Sequence, residues 1–330
     1  MMSWSLLLLF AAADWDPKLA AQYLDGRQKE WLSYKPAQGP GGTCTPCHGS
    51  LLYAMARPAL RKRLGESGSS NALELEISNG YRTRLEHPEM GSMFAGDKQE
   101  PKPSVEAVLA AFLTPGDERA LDRLTALQLR DDGPDKGSWK WFNLNLEPWE
   151  GPASKFFGAT LGAMALQSAP AAYRKRPEPA RALRDVNEYL RRNETSQPLH
   201  HRLLLLWSRD PAFRKARTAI LAEAWKQQQA DGSWSNESLG PWPKKLHDSS
   251  ADYATAFTAY SLLRSGAVSR KDPRLQRTLA WLASRQDRQK GHWSAQSMNK
   301  QRTPESMTGQ FMNDSATAFA VLALLEADSR

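Results

Sequence analysis

The chain has 330 residues, 41% hydrophobic and 24% charged, which excludes wholesale disorder and suits one large globular domain or two ordinary ones. Its net charge of +8 comes from 44 basic and 36 acidic residues dispersed along helical stretches such as Arg174 to Arg192. No block of the kind carried by a nucleic-acid arm is present, so the expected uses are a solvated basic face or docking to an acidic redox partner or anionic membrane.

The first residues read as an export signal. Leu6 to Ala13 is a short apolar run, and Ala11 and Ala13 take the −3 and −1 positions of a cut before Asp14. The run has no Lys or Arg before it and relies on the amino terminus for its charge. We therefore expect a signal peptide over 1–13 and a mature chain over 14–330, periplasmic or otherwise exported and soluble after cleavage. No later apolar stretch reaches the roughly 20 residues of a membrane span, so no transmembrane segment is expected.

Periodicity and breakers predict helices near 17–34, 48–64, 69–86, 103–113, 116–129 and 155–167, then near 178–192, 197–208, 213–229, 250–265, 272–286 and 313–327. In order they pair into six hairpins, with no strand run between them. Glycine-proline clusters such as Gln38 to Gly42 and Lys98 to Pro103 lie between elements, so one all-α domain is expected.

The only two cysteines stand in Cys44-Thr45-Pro46-Cys47-His48. C-x-x-C-H is the attachment signature of haem c, with two thiols for the vinyl groups and the next residue placed as the proximal imidazole. A structural zinc site needs four ligands, and there is no second Cys pair. A thioredoxin-like pair follows a strand in a βαβ unit, and none is visible here. One covalent haem c is therefore the expected cofactor, in keeping with the export signal.

Three segments repeat one pattern: an amphipathic helix, a Gln, a polar turn ending Gly-x-Trp, a loop and a small-residue helix. They run from Gln128 to Gly137-Ser138-Trp139, from Gln228 to Gly232-Ser233-Trp234, and from Gln286 to Gly291-His292-Trp293. Asp252-Tyr253-Ala254-Thr255-Ala256-Phe257 then parallels Asp314-Ser315-Ala316-Thr317-Ala318-Phe319. The last two turn tryptophans are 59 residues apart and the first two 95, leaving room for a hairpin without a Trp turn. The Gln is suited to binding orphan carbonyls at a helix end, the Gly to the turn, and the Trp to packing over it.

These turns resemble the QW motifs of the squalene-hopene cyclase and prenyltransferase repeat superfamily. More closely, the chain resembles bacterial proteins of that superfamily that carry a haem c motif near the start. The matching segments are Cys44 to His48, Tyr53 to Arg61, Glu147-Pro148-Trp149-Glu150 and Asn299-Lys300-Gln301-Arg302. The resemblance covers nearly the whole mature chain and implies an α/α toroid, a ring of six helical hairpins. Cyclases of the superfamily protonate an alkene with Asp-x-Asp-Asp, but the matching stretches here, Ala251 to Thr255 and Asn313 to Thr317, lack the acid cluster. Both cysteines are in the haem motif, which argues against prenyltransferase-like zinc chemistry. The resemblance thus implies the fold and not terpene cyclisation.

In such a ring all inner helices point the same way, so their N-termini gather at one mouth. That puts His48 at the mouth and, where the ring closes, brings Met312 beside it as the first choice for the sixth iron ligand. Met298, His247 and His292 on mouth loops are further candidates, as are Met55, His87, Met90 and Met93, while His200 and His201 open the inner helix roughly opposite. Glu147, Trp149, Glu150, Asp252 and Asp314 either cap helices or wall a pocket at the same mouth. Lys300 and Arg302 are suited to an anionic group such as a haem propionate, or to solvent. Electron transfer with a redox partner is the expected function. The alternatives are a haem-dependent oxidoreductase acting on a small or isoprenoid substrate, and a haem-free toroid holding a lipid or serving as a scaffold.

Overall fold

A computed structural model of the chain describes residues 15–39, 42–87, 100–242 and 250–328. The expected signal segment, Met90, Met93 and His247 lie outside the described residues. Thirteen α-helices lie among those described, with one ladder of two two-residue strands. The first hairpins are α1 (Pro17–Ser33) with α2 (Ser50–Leu64), α3 (Ala72–Glu86) with α4 (Lys102–Leu113), and α5 (Glu118–Ala126) with α6 (Ser154–Ser168). After the single turn α7 (Ala171–Arg174) come α8 (Pro177–Asn193) with α9 (Leu199–Leu203), α10 (Arg214–Lys226) with α11 (Asp252–Arg264), and α12 (Pro273–Arg285) with α13 (Phe311–Asp328).

Local chemistry sets these limits. Asp16, Asn71, Asp117 and Asp272 cap α1, α3, α5 and α12 with their side chains, Asn71 in a capping box with Glu74. Pro17, Pro177 and Pro273 open their helices where a missing N–H costs nothing. The expected helix over 197–208 is only half realised: α9 tightens after one turn into a 3₁₀ segment, Leu204–Trp207. Ser208 and then Asp210-Pro211 stop it, because the residue before proline is driven out of the helical region.

Burial separates two kinds of helix. In α5, α8 and α12 one apolar stripe is covered, whereas α6, α11 and α13 are buried on nearly all sides. The fully covered ones are rich in Ala, Gly, Ser and Thr, which lets neighbours approach closely. A Cβ on Gly158 or Gly162 of α6 would overlap the rings of Trp141 and Trp139.

The three Gly-x-Trp turns share one bonding scheme. Trp139, Trp234 and Trp293 donate their indole N–H to Leu124, Ala224 and Leu282, carbonyls near the ends of α5, α10 and α12, at 2.8, 2.7 and 2.8 Å. Gln128 donates to Gly137 in its own turn and to Ala182 of α8; Gln228 donates to Gly232 and to Arg274 of α12. Gln286 donates to Gly291 and to the carbonyl of Asp16, and accepts from the Asp16 N–H at 2.6 Å. Each turn therefore clips one helix end to the start of the next helix of the same kind, and the last of them reaches α1. The turn glycines have φ of 91°, 96° and 79° and lie against backbone of α8, α12 and α1.

The buried helices also pack in sequence. The 199–207 segment packs on α6 and on α11, α4 on α2 and α6, and α13 on α11 and α2, so the series of neighbours returns to α2. The 95-residue Trp interval holds the hairpin α8 with α9, which has no Trp turn. No helix among the described residues is long and apolar enough to cross a membrane.

Candidate functional site

The Cys-x-x-Cys-His turn enters α2 from a short hairpin, β1 (Gln38–Gly39) against β2 (Gly42–Thr43). Trp31 of α1 donates its indole N–H to the Cys44 carbonyl at 2.7 Å. Arg84 of α3 donates to the Thr43 carbonyl and the Thr45 hydroxyl while ion-paired with Glu106 of α4. Three helices thus hold one turn. Both cysteines are free thiols; Cys47 is buried and Cys44 partly so. Burial, reinforced by the nearby Glu150 carboxylate, pushes the Cys44 thiol up to about 12 and raises Cys47 as well. Such thiols lack the low pKa of a catalytic dithiol.

His48 follows at the entry to α2, its ring stacked on Phe311 of α13 with centroids 3.9 Å apart, and with Trp31 and Trp149 at 6.2 and 6.3 Å. Its backbone carbonyl accepts from the Ser315 hydroxyl at 2.9 Å, tying the turn to α13. Burial, with Arg302 and Arg27 adding positive charge, lowers the imidazole to about 3, so it is neutral at physiological pH. Its Nδ1 is buried with no hydrogen-bond partner.

A cavity of about 60 Å³ opens beside it, lined by Met312, Glu147, Trp149, Glu150 and Arg302 among others. Five of the expected pocket and ligand residues therefore share one chamber with His48. The acidic pair comes from the turn before α6. There the Glu147–Pro148 peptide is cis, and Asn299 grips Glu147 through both its backbone groups, accepting at 2.8 Å and donating at 2.6 Å. The Glu147 carboxylate lies against Gly151, where any Cβ would displace it. Burial raises the Glu147 carboxyl above the usual range, and its Oε2 has no partner; burial likewise pushes Glu150 up to about 7. Trp149 presents a buried, unpartnered indole N–H.

Three expected residues stand elsewhere. Asp314 lies outside the chamber and does not cap its helix; it accepts from Tyr23 and, through both oxygens, from Arg27, joining α13 to α1. Asp252 accepts from Arg285 and from the Ser294 N–H, both at 3.1 Å. Both carboxylates instead meet a guanidinium, a contact between two full charges. Lys300 faces a separate groove. Of the alternative ligands, Met298 and Met55 are not on the His48 chamber, His87 is exposed at the end of α3, and His292 is on the groove.

His200 and His201, both fully buried, support the acidic turn from behind. His201 donates its Nε2–H to the Pro148 carbonyl at 2.8 Å, which fixes its tautomer. His200 Nε2 bonds the Tyr253 hydroxyl at 2.7 Å, and Tyr253 packs edge-on to Trp149. Sequence reasoning placed these histidines across the ring but had no signal for their partners, and it missed Phe311 as the ring stacked on His48 and Arg27 as the partner of Asp314.

Burial lowers both histidines, His201 to about 4 from 6.5, so the folded chain stays unprotonated where the unfolded chain takes up protons. Stability is therefore lost as pH falls below about 6.5, by up to ~1.4 kcal/mol per pH unit for each histidine. His201→Gln keeps a donor for Pro148 and removes one titration. Urea midpoints from pH 7 down to 4.5 should show a shallower acid slope in this variant, and an unchanged slope would refute the assignment.

The donor set suits a covalent haem: two thiols and a neutral imidazole in one turn, a buried ring nitrogen without a partner, and a thioether on the same chamber. Among the described residues no group of three His, Cys, Asp or Glu forms a competing metal cluster. The volume beside His48 is far below the roughly 300–1,000 Å³ of cofactor sites, so the match lies in the ligands and not in a preformed slot. Compared with protein-family models the chain matches none, and comparison with curated proteins likewise gives no match.

Proposed function

We propose that this chain is an exported c-type haem protein whose haem, held by Cys44, Cys47 and His48, exchanges single electrons with a partner protein. The observation that carries the proposal is that the chain's only cysteines share one turn with a neutral His48 whose Nδ1 is buried, and that Met312 lines the same chamber. A haem with a His/Met pair supplies a one-electron couple of raised potential. Phe311 and Trp149 keep His48 oriented and shielded from water, and Arg302, which makes no ion pair among the described residues, offers a positive charge to a carboxylate such as a propionate. The excess of basic residues favours an acidic partner, with transfer rates that fall as salt rises.

The proposed scaffold is a single α/α toroid of the cyclase-like kind. The Gln286 clip from α12 back to α1 and the return of the buried-helix series to α2 support it. A second reading, a haem-dependent oxidoreductase, draws on Glu147 and Glu150: two carboxyls with raised pKa beside His48, one near neutrality, suit proton transfer to a substrate.

Expression with a haem-maturation system, followed by intact mass and a pyridine haemochrome spectrum, tests the attachment. A chain without covalent haem would overturn it. Low-spin spectra in both redox states are expected, with the methionine-to-iron band lost in Met312→Ala. An unchanged band rejects Met312, and a high-spin wild type that binds carbon monoxide favours the oxidoreductase.

A further inference from the structure

A groove of about 1070 Å³ shares Ser297 and Arg302 with the His48 chamber. One wall is α1; the other runs from the last Gly-x-Trp turn through 294–305 to the start of α13. No Leu, Ile, Val, Phe, Met or Trp lines it, so nothing there takes up an acyl or isoprenoid chain. Its charges nearly balance: Lys290, Lys300 and Arg302 face Asp287 and Glu305, while Arg27 and Glu30 pair with each other. One net positive charge is too little to hold a polyanion.

What remains is hydrogen-bonding capacity of both kinds. The amides of Gln22 and Gln301 line the groove and make no hydrogen bond to another side chain or backbone group among the described residues. The Asn313 carbonyl oxygen is taken by the Ala295 N–H, leaving its NH₂, and the Gln310 NH₂ is taken by the Glu305 carbonyl, leaving its oxygen. His292, only 8% exposed, contributes a wall whose Nδ1 has no partner, and burial lowers its pKa so that it is neutral. Its ring packs on Tyr23 with centroids 5.0 Å apart and the planes tilted by 44°, so two aromatic rings stand side by side in the groove wall.

We infer that this groove binds a linear, uncharged oligosaccharide. Sugar hydroxyls donate and accept at once, matching amides and a neutral imidazole, and sugar rings rest on aromatic faces. A polypeptide is disfavoured because known peptide grooves rely on a free strand edge, apolar anchor pockets, an aromatic-lined proline track or an arginine cluster, and this groove has none of these. The inference does not depend on the haem proposal.

Isothermal titration of the full chain with maltohexaose, cellohexaose, xylohexaose and chitohexaose, at low and at about 0.15 M salt, tests it. One of the four should bind saturably and independently of salt, about tenfold more weakly to Gln301→Ala and to His292→Phe. Gln22→Ala, another exposed site, keeps the test sound should His292→Phe misfold. Absence of binding by all four sugars would overturn the inference. So would equal binding by the Gln22 and Gln301 variants, or saturable binding of anionic phospholipid vesicles or a mixed heptapeptide library in their place.

Discussion

Gly291→Ala is expected to destabilise the chain by about 2–5 kcal/mol, where most surface substitutions cost almost nothing. Two effects add. At φ 79° an alanine is held in the left-handed region, at a cost of about 1–2 kcal/mol. Its Cβ would also overlap the Leu19 carbonyl of α1, and overpacking of this kind costs about 1–3 kcal/mol. Relief requires α1 to move away, which breaks the paired bonds between Gln286 and Asp16. Gly266→Ala is the control: its φ is 65°, but nothing lies within 4 Å of the added carbon, so only the backbone cost of about 1–2 kcal/mol remains. Urea unfolding of the two variants separates the contributions, and equal losses would show that Gly291 is not packed against α1.

Asp314→Ala should cost about 3–5 kcal/mol, because it strands the buried Arg27 guanidinium without its counter-charge. Arg27 donates to both Asp314 oxygens at 2.8 and 3.0 Å and to the Met307 carbonyl at 3.0 Å, while Tyr23 donates to the same carboxylate at 2.8 Å. Glu30, more than half exposed, still pairs with Arg27 but does not follow it inward. Adding Arg27→Met to Asp314→Ala should recover much of the loss, since apolar replacement of a buried pair is often nearly neutral. A double variant no more stable than Asp314→Ala would mean the carboxylate acts through Tyr23 or the helix start instead.

Much of the helical order was legible in the sequence because its markers are local. Gly-x-Trp after a Gln reports a positive-φ turn with an indole over a helix end, and all three copies fold alike. The nearness of Met312 to His48 followed from the expected ring order, in which the last buried helix lies beside the first. Side-chain partners were less legible. Asp314 opens a helix and reads as a cap, yet Arg27, 287 positions away, takes it. Nothing near His201 in sequence announces a bond to Pro148, and a composition of small and polar residues over 294–310 does not announce a groove. Pairings of that kind depend on distances between elements, to which local periodicity is blind.

The clip between Gln286 and Asp16 also has a consequence in time. Contacts spanning 270 residues or more leave α1, although it already packs on α2, without its seats on α12 and α13 until those helices have been synthesised. Contacts of such sequence separation carry a loop-closure cost that slows folding. A ribosome-held chain that stops before α12 therefore leaves the Gly291, Gln286 and Asp314 seats of α1 unmade. The haem-motif turn that follows α1 correspondingly gains its Phe311 and Ser315 contacts only at the last stage of assembly.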